Sequence, residues 1–437
     1  MRVQDTGSRR PEVRRWRQLL VAVGLVLAAA LLVSACGGDE GSDENASSGG
    51  SSQKNQGTST ATKKKATGSV IKVMTVASVN TEGPPFPNIP KTAEIYGKWI
   101  NDHGGVNNHV LEVINCDDRG VAPQATSCAR KAVDEKVAAV VGSYTFMAEA
   151  IVPILERANV AWFGMCCPGT PSELTSKASL PVGSGPLYST GFTKKAIDDG
   201  CKKINAVIID GAQPYIPLME GAMKAAGKDF ASKPIILPAT SQDYTPQVAQ
   251  ATSKGADCVL MVVSEGPYQA WMGPWAQSGT KAKMYGPQGN LNAKVVKGNE
   301  QAAEGAVIAG SYPDISTEPW VDFRAALEDY NAPTDMDFNS LAGMGTWAGY
   351  SAFTQIASGM KGEVTAKAFL DAANKTTNLD LKGMVPPIDF TKEWTDLKGY
   401  SRLFNHSVVF SKIEGGKVVP LTTEFEDVTN AALGKAG

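Results

Sequence analysis

The sequence predicts an α/β protein built as two doubly wound, parallel-sheet lobes. Three observations carry that expectation. From Ser69 onward, short β-branched apolar runs alternate with amphipathic stretches of helical period, the pattern of parallel strands linked by crossover helices. The rhythm pauses at "PVGSGPLYSTG" (181–191) and then restarts. The body after Gly68 is about 370 residues long, more than one core usually holds and comfortable for two domains.

Taken in order, "SVIKVMTVASV" (69–79) is a buried strand, broken by Pro and Gly at 83–90. "KTAEIYGKWINDHGG" (91–105) places Ala93, Tyr96, Trp99 and Ile100 on one helical face and stops at Gly104–Gly105. "HVLEVINCDD" (109–118) is a strand, and "PQATSCARKAVDEK" (123–136) a helix with Pro in its first turn. "VAAVVG" (137–142) and "VAWFG" (160–164) are strands around the helix "FMAEAIVPILERAN" (146–159). After the pause, strands are expected at 204–210, 233–238, 257–263, 282–289 and 305–313, with helices between them. Three more helical patterns cover 317–330, 339–360 and 365–375. "VPPIDFTKEWTDLKGY" (385–400) is irregular, and "RLFNHSVVFSKIEGGKVVPL" (402–421) reads as an antiparallel hairpin turning at Glu414–Gly416.

The amino end has another character. Arg2, Arg9, Arg10, Arg14, Arg15 and Arg17 precede the apolar run "LLVAVGLVLAAALLV" (19–33), the pattern of a secretory signal. That run is short for a membrane span, which takes about 20 apolar residues. "VSAC" ends it at Cys36 and resembles the lipobox of bacterial lipoproteins, where the cysteine becomes the lipidated first residue. Residues 1–35 are therefore expected to be a signal peptide, and Cys36 a lipid anchor holding the protein outside the cytoplasm. Residues 36–68 carry no large apolar side chain and read as a disordered tether, with Lys63–Lys65 a solvated charge run.

The full chain has a formal charge of −2 from 42 bases and 44 acids. Removing 1–35 takes six arginines and two acids, leaving 36 bases against 42 acids, so no basic excess points to nucleic acid. Besides Cys36 there are six cysteines, an even number that suits disulfides outside the cytoplasm. Cys116 and Cys128 flank one strand-to-helix connection and form the first candidate pair. Cys201 and Cys258, each at the start of a strand, form the second. Cys166 and Cys167 are then free or joined to each other.

Catalytic signatures are missing. The chain has no G-x-x-x-x-G-K-[ST], no G-x-S-x-G, no H-E-x-x-H, and no G-x-G-x-x-G after its first strand. Only His103, His109 and His406 are present; the first two bracket a glycine turn as loop residues. Neither enzyme activity nor a cofactor is expected. In parallel α/β sheets ligands bind beyond the carboxyl ends of the strands, near helix N-termini. Here those ends bring Asn80, Tyr144, Thr145, Phe146, Met165, Cys166, Cys167, Tyr215, Ser264, Glu265 and Gln288 toward a common cleft. The aromatic residues would form apolar walls, and Glu265 would meet a cation.

The chain resembles type I periplasmic substrate-binding proteins, in the leucine/isoleucine/valine-binding branch of ABC importers. The resemblance is carried by "AEIYGKWINDHGGVNNHVLEVINCDD" with "SCARKAVDEKVAAVVG", by "PGTPSEL" (168–174) and by "MYGPQG" (284–289), and spans about residues 70–420. It implies lobes that are not simple halves: 69–185 with 315–384, and 186–314 with 385–425, joined by a three-strand hinge. It implies a small-molecule solute, amino-acid-like, amide, carboxylate or aromatic, a membrane permease as partner, and a monomer. A ligand sensor for a membrane receptor is the alternative use of the same fold. The family pattern puts Thr145 or Phe146 at the ligand's carboxylate, with Met165–Cys167 beside it and Tyr215 over it. It also places Gln288 where amino-acid binders usually carry the Glu that holds the ligand's ammonium. Gln has no charge to offer, so either Glu265 takes over that role or the ligand lacks an α-ammonium.

Overall fold

The computed structural model describes residues 61–238, 241 and 243–436. The signal segment 1–35, Cys36 and the first part of the expected tether lie outside them.

The first sheet is wholly parallel, in the order β2-β1-β3-β4-β5, from β1 (Val70–Ala77), β2 (Val110–Asp117), β3 (Ala139–Val141), β4 (Ala161–Phe163) and β5 (Ser179–Leu180). Its helices are α1 (Asn88–Asp102), α2 (Ala122–Asp134), α3 (Val152–Arg157) and α4 (Pro171–Thr175). The last carries a capping box between Thr170 and Glu173. β1 is almost continuously apolar because helices cover both its faces.

The second sheet runs β12-β11-β10-β9-β8-β6-β7. Its parallel strands are β6 (Ile204–Ile209), β7 (Ile235–Leu237), β8 (Cys258–Val262), β9 (Lys283–Pro287) and β10 (Val307–Gly310). The hairpin β11 (Ser407–Glu414) and β12 (Lys417–Pro420) adds two antiparallel strands to its edge. Around it lie α5 (Tyr188–Asp198), α6 (Ile216–Ala225), α7 (Thr245–Ala251), α8 (Glu265–Gln277), α9 (Ala293–Val296) and α10 (Glu300–Ala303).

The chain then returns to the first lobe with α11 (Val321–Asp329), α12 (Leu341–Gly359) and α13 (Ala366–Ala373). α12 packs on α1 through a ring cluster in which Trp347 meets Tyr96 at 4.8 Å and Phe323 at 4.7 Å. Such pairs add about 0.5–1.5 kcal/mol each beyond their buried area. Gly349 sits against the backbone of Gly164, with no room for a Cβ, so α12 lies directly on the loop that follows β4. The chain ends in β13 (Glu426–Asp427), paired with β11, and α14 (Thr429–Ala432), which packs on α6 beyond the expected end of the lobe at 425.

Two boundaries need correction. Residues 61–68, read as tether, belong to the folded body: the Lys64 and Ala66 N–H groups donate to Asp102 O and Asn101 O, both at 2.7 Å, and Ala66 is buried. Lys63 stays exposed to solvent, as expected, and also pairs with Asp329 at 3.1 Å. Residues 385–404, assigned to the second lobe, pack on the first. Phe390 meets Phe163 edge-on, Arg402 Nε donates to Ser179 O at 3.0 Å, and Leu379 bridges Ile388. This stretch has no strand or helix whose period would announce a side, and its apolar residues fill the core behind β4 and β5.

The last crossing therefore falls near 405–407 rather than at the expected boundary between 384 and 385. It lies beside the other two. Ser184 and Ser311, on the first and second crossings, share a hydrogen bond of 2.9 Å, and Asn405 Nδ2 donates to Val182 O at 3.2 Å.

Candidate functional site

The carboxyl ends of both sheets open onto one cavity of about 720 Å³. Tyr144, Phe146, Cys166, Cys167, Tyr215, Ser264, Glu265 and Gln288 all line it, so eight of the expected residues meet in one place. Three do not. Met165 is fully buried among Val76, Val140 and Trp162, because its side chain turns down into the core beneath β4. Thr145 is buried too: its Oγ1 accepts the Met147 N–H at 3.0 Å and shares a longer contact with Ser78. Asn80 is exposed, and its Nδ2 donates to Asp117 Oδ2 at 2.7 Å, closing the loop after β1. Strand-end position alone does not tell a cap from a cavity wall.

Aromatic side chains give the cavity its character. On the first lobe Phe86 packs edge-on to Tyr144 at 4.8 Å, and Phe146 lies 5.5 Å from Tyr144. Phe146 is 53 % exposed, a large apolar side chain left open to the cleft. Opposite them the rings of Tyr188 and Tyr215 lie 5.5 Å apart. Burial pushes the Tyr215 hydroxyl up to about 12, and those of Tyr144 and Tyr188 well above the usual range, so all three stay protonated. Phe86 belongs to the loop "EGPPFP" (82–87), which the sequence shows only as a break between a strand and a helix. Tyr188 heads α5 just past the first crossing. Trp271 and Trp275, by contrast, are core residues of the second lobe.

Cys166 and Cys167 are joined to each other in the loop after β4 and line the cavity between the two aromatic groups. Glu173 braces that loop from behind. It is fully buried, and its carboxylate accepts the Trp162 Nε1–H and the Gly169 and Thr170 N–H groups, each at 3.0 Å. Burial raises its pKa despite those bonds. Cys116 joins Cys128, and Cys201 joins Cys258, tying β2 to α2 and β6 to β8. Cys201, Asp257 and Cys258 form a cluster of metal-ligating residue types, but both sulfurs are bonded to each other and offer no thiolate.

The polar side is set by Gln288, Glu265 and Asp337. Gln288 is only 6 % exposed; its Nε2 donates to Tyr312 O at 2.9 Å, while its Oε1 has no partner. Glu265 is not a free counter-charge: Lys294 pairs with it at 2.8 Å, and Asn292 Nδ2 donates to it at 3.2 Å. The sequence did not single out Lys294 or Asp337, both of which line the cavity. Burial, then Glu265 and Asp314, push the Asp337 carboxyl up to about 6 against the bond from the Asn339 N–H.

Among known proteins, the sequence pattern described as periplasmic binding protein matches residues 83–414. Similar solved structures include a substrate-binding periplasmic protein from Ralstonia solanacearum, 16% identical, with a TM-score of 0.68 over 82% of this chain and 100% of that one. The solute-binding protein of an ABC transporter from R. palustris, in complex with 4-hydroxybenzoate, is 17% identical, with a TM-score of 0.67 over 82% of this chain and 97% of that one. The leucine-binding protein LivK from Thermotoga maritima is also 17% identical, with a TM-score of 0.63 over 82% of this chain and 97% of that one. No curated protein matches the sequence. The match covers most of the chain, both lobes and all three crossings: the chain belongs to the periplasmic binding protein family, whose members bind solutes rather than transform them.

Proposed function

We propose that this protein is an extracytoplasmic solute-binding lipoprotein, tethered through Cys36, that delivers a small solute to the membrane permease of an ABC importer. The observation that carries the reading is the cavity of about 720 Å³ between two lobes whose three connections run side by side. Small rotations in three short segments close such a cleft and exclude water from what it holds. The expected solute has an apolar or aromatic body, to match Phe86, Tyr144, Phe146, Tyr188 and Tyr215. An α-amino acid is a poor fit, since Lys294, the basic side chain of the described wall, is already paired with Glu265 and is not free to meet the solute's carboxylate.

Solute binding to the native state alone must raise the melting temperature. A matched panel of aromatic and aliphatic solutes, read by melting temperature and by X-ray scattering, tests the reading. A bound solute should shrink the radius of gyration. If no solute in such a panel changes either quantity, the proposal fails.

A further inference from the structure

Charge in the cavity wall is lopsided. Each side-chain amide of the wall already donates a hydrogen bond within the protein. Asn88 Nδ2 donates to Asp337 O at 2.9 Å, Asn290 Nδ2 to Val263 O at 3.0 Å, Gln269 Nε2 to Glu265 Oε1 at 3.3 Å, and Gln288 Nε2 to Tyr312 O at 2.9 Å. The one basic side chain among the described residues of the wall, Lys294, is bound to Glu265 at 2.8 Å.

What remains in excess is negative charge. Glu82, Asp335 and Asp337 line the cavity, and none has an ion pair with a base among the described residues. Among the described residues four carboxylates thus face one ammonium; the Asp337 carboxyl, raised first by burial, is raised further by Glu265 and Asp314. A carboxylate solute would find neutral hydroxyls in Tyr144, Tyr215 and Ser264 but, among the described residues, no cation free of a carboxylate partner to balance its charge. A cation would meet free carboxylates at one side and aromatic faces at the other, and both attract positive charge.

Resting on the cleft reading above, we infer that the solute is an organic cation: an amine or quaternary ammonium on an apolar or aromatic body, with its charge toward Asp337 and its body against Phe146 and Tyr215.

The test uses the purified full chain, calorimetry and melting temperature. One arm is a panel of organic amines including benzylamine, tyramine and choline; the other is benzamide, benzoate, leucine and calcium chloride. An amine should bind and benzoate should not, with affinity falling at least about tenfold in Asp337→Asn. Glu82→Gln, on the exposed rim, should weaken the same amine by a smaller factor.

Failure of every amine overturns the inference, as does stabilisation by calcium alone. Benzoate, benzamide or leucine binding that is lost in Phe146→Ala overturns the charge assignment and leaves the cleft reading in place. Solute binding unchanged in both Phe146→Ala and Asp337→Asn overturns the two together.

Discussion

The Gln288 side chain lies across Gly310, over the spot where any other residue would place its Cβ. That contact joins the loop after β9 to the last residue of β10, one step before the second crossing begins at Ser311. A methyl group there must push the Gln288 amide off Tyr312 O. Gly310→Ala should cost about 1–3 kcal/mol of stability, the range for overpacking a tight site. Chemical denaturation of the two proteins checks it, and an unchanged midpoint would show that the amide moves freely.

Glu173 presents only acceptors to three N–H groups. Glu173→Gln replaces one of its oxygens with an NH₂ that faces donors. The buried mismatch should cost about 1–3 kcal/mol. It should also loosen the loop that carries Cys166 and Cys167, seen as faster hydrogen exchange at 164–170. Equal exchange in both proteins would remove Glu173 from the role of brace.

Asp337 gives a pH signature of known sign. Its carboxyl is held at about 6 in the native state, above its ordinary value, so the native state binds its proton more tightly than the unfolded chain. The stability this contributes is present at low pH and is lost as pH rises through about 6. Asp337→Asn carries no such loss. It should match the parent near pH 4 and exceed it near pH 7.5 by about 2 kcal/mol, a figure reduced for solvent screening in an open cleft. Taking the difference between the two proteins cancels the titrating groups that do not interact with Asp337. A difference that stays flat from pH 4 to 7.5 would contradict the assignment.

The Cys116–Cys128 bond closes a loop with a sequence separation of 12, over a Cα–Cα distance of 5.8 Å. Chain-entropy arguments put such a bond at about 3 kcal/mol. Replacing both cysteines with serine should lower the denaturation midpoint by the corresponding amount. Mass spectrometry of unreduced peptides should find 116 linked to 128 in the parent.

The sheet strands from β1 to β4 and from β6 to β10 were legible because each is an apolar run bounded by turn residues, and periodicity reports that directly. β5 was not: Ser179–Leu180 is two residues long and its serine faces the core. The segment 385–404 was misplaced because irregular chain has no period, and its partners, Phe163 and Ser179, lie more than 200 residues earlier. At the site, Tyr144 and Phe146 could be found because they follow a strand. Phe86 and Asp337 could not, since each reaches the cavity from a loop whose path depends on the finished fold. Glu265 misled for the same reason: its partner Lys294 lies 29 residues away, on the far side of β9 in the chain.

The borders of the two sheets offer little to a passing chain. β5, β7 and β12 are two, three and four residues long, and β12 opens on Lys417 and closes on Pro420. β2 is longer, but Glu112 stands exposed along it and its far end is stapled to α2. Short, charged or pinned borders resist edge-to-edge pairing. Copies crowded together therefore gain no template for fibril growth from one another.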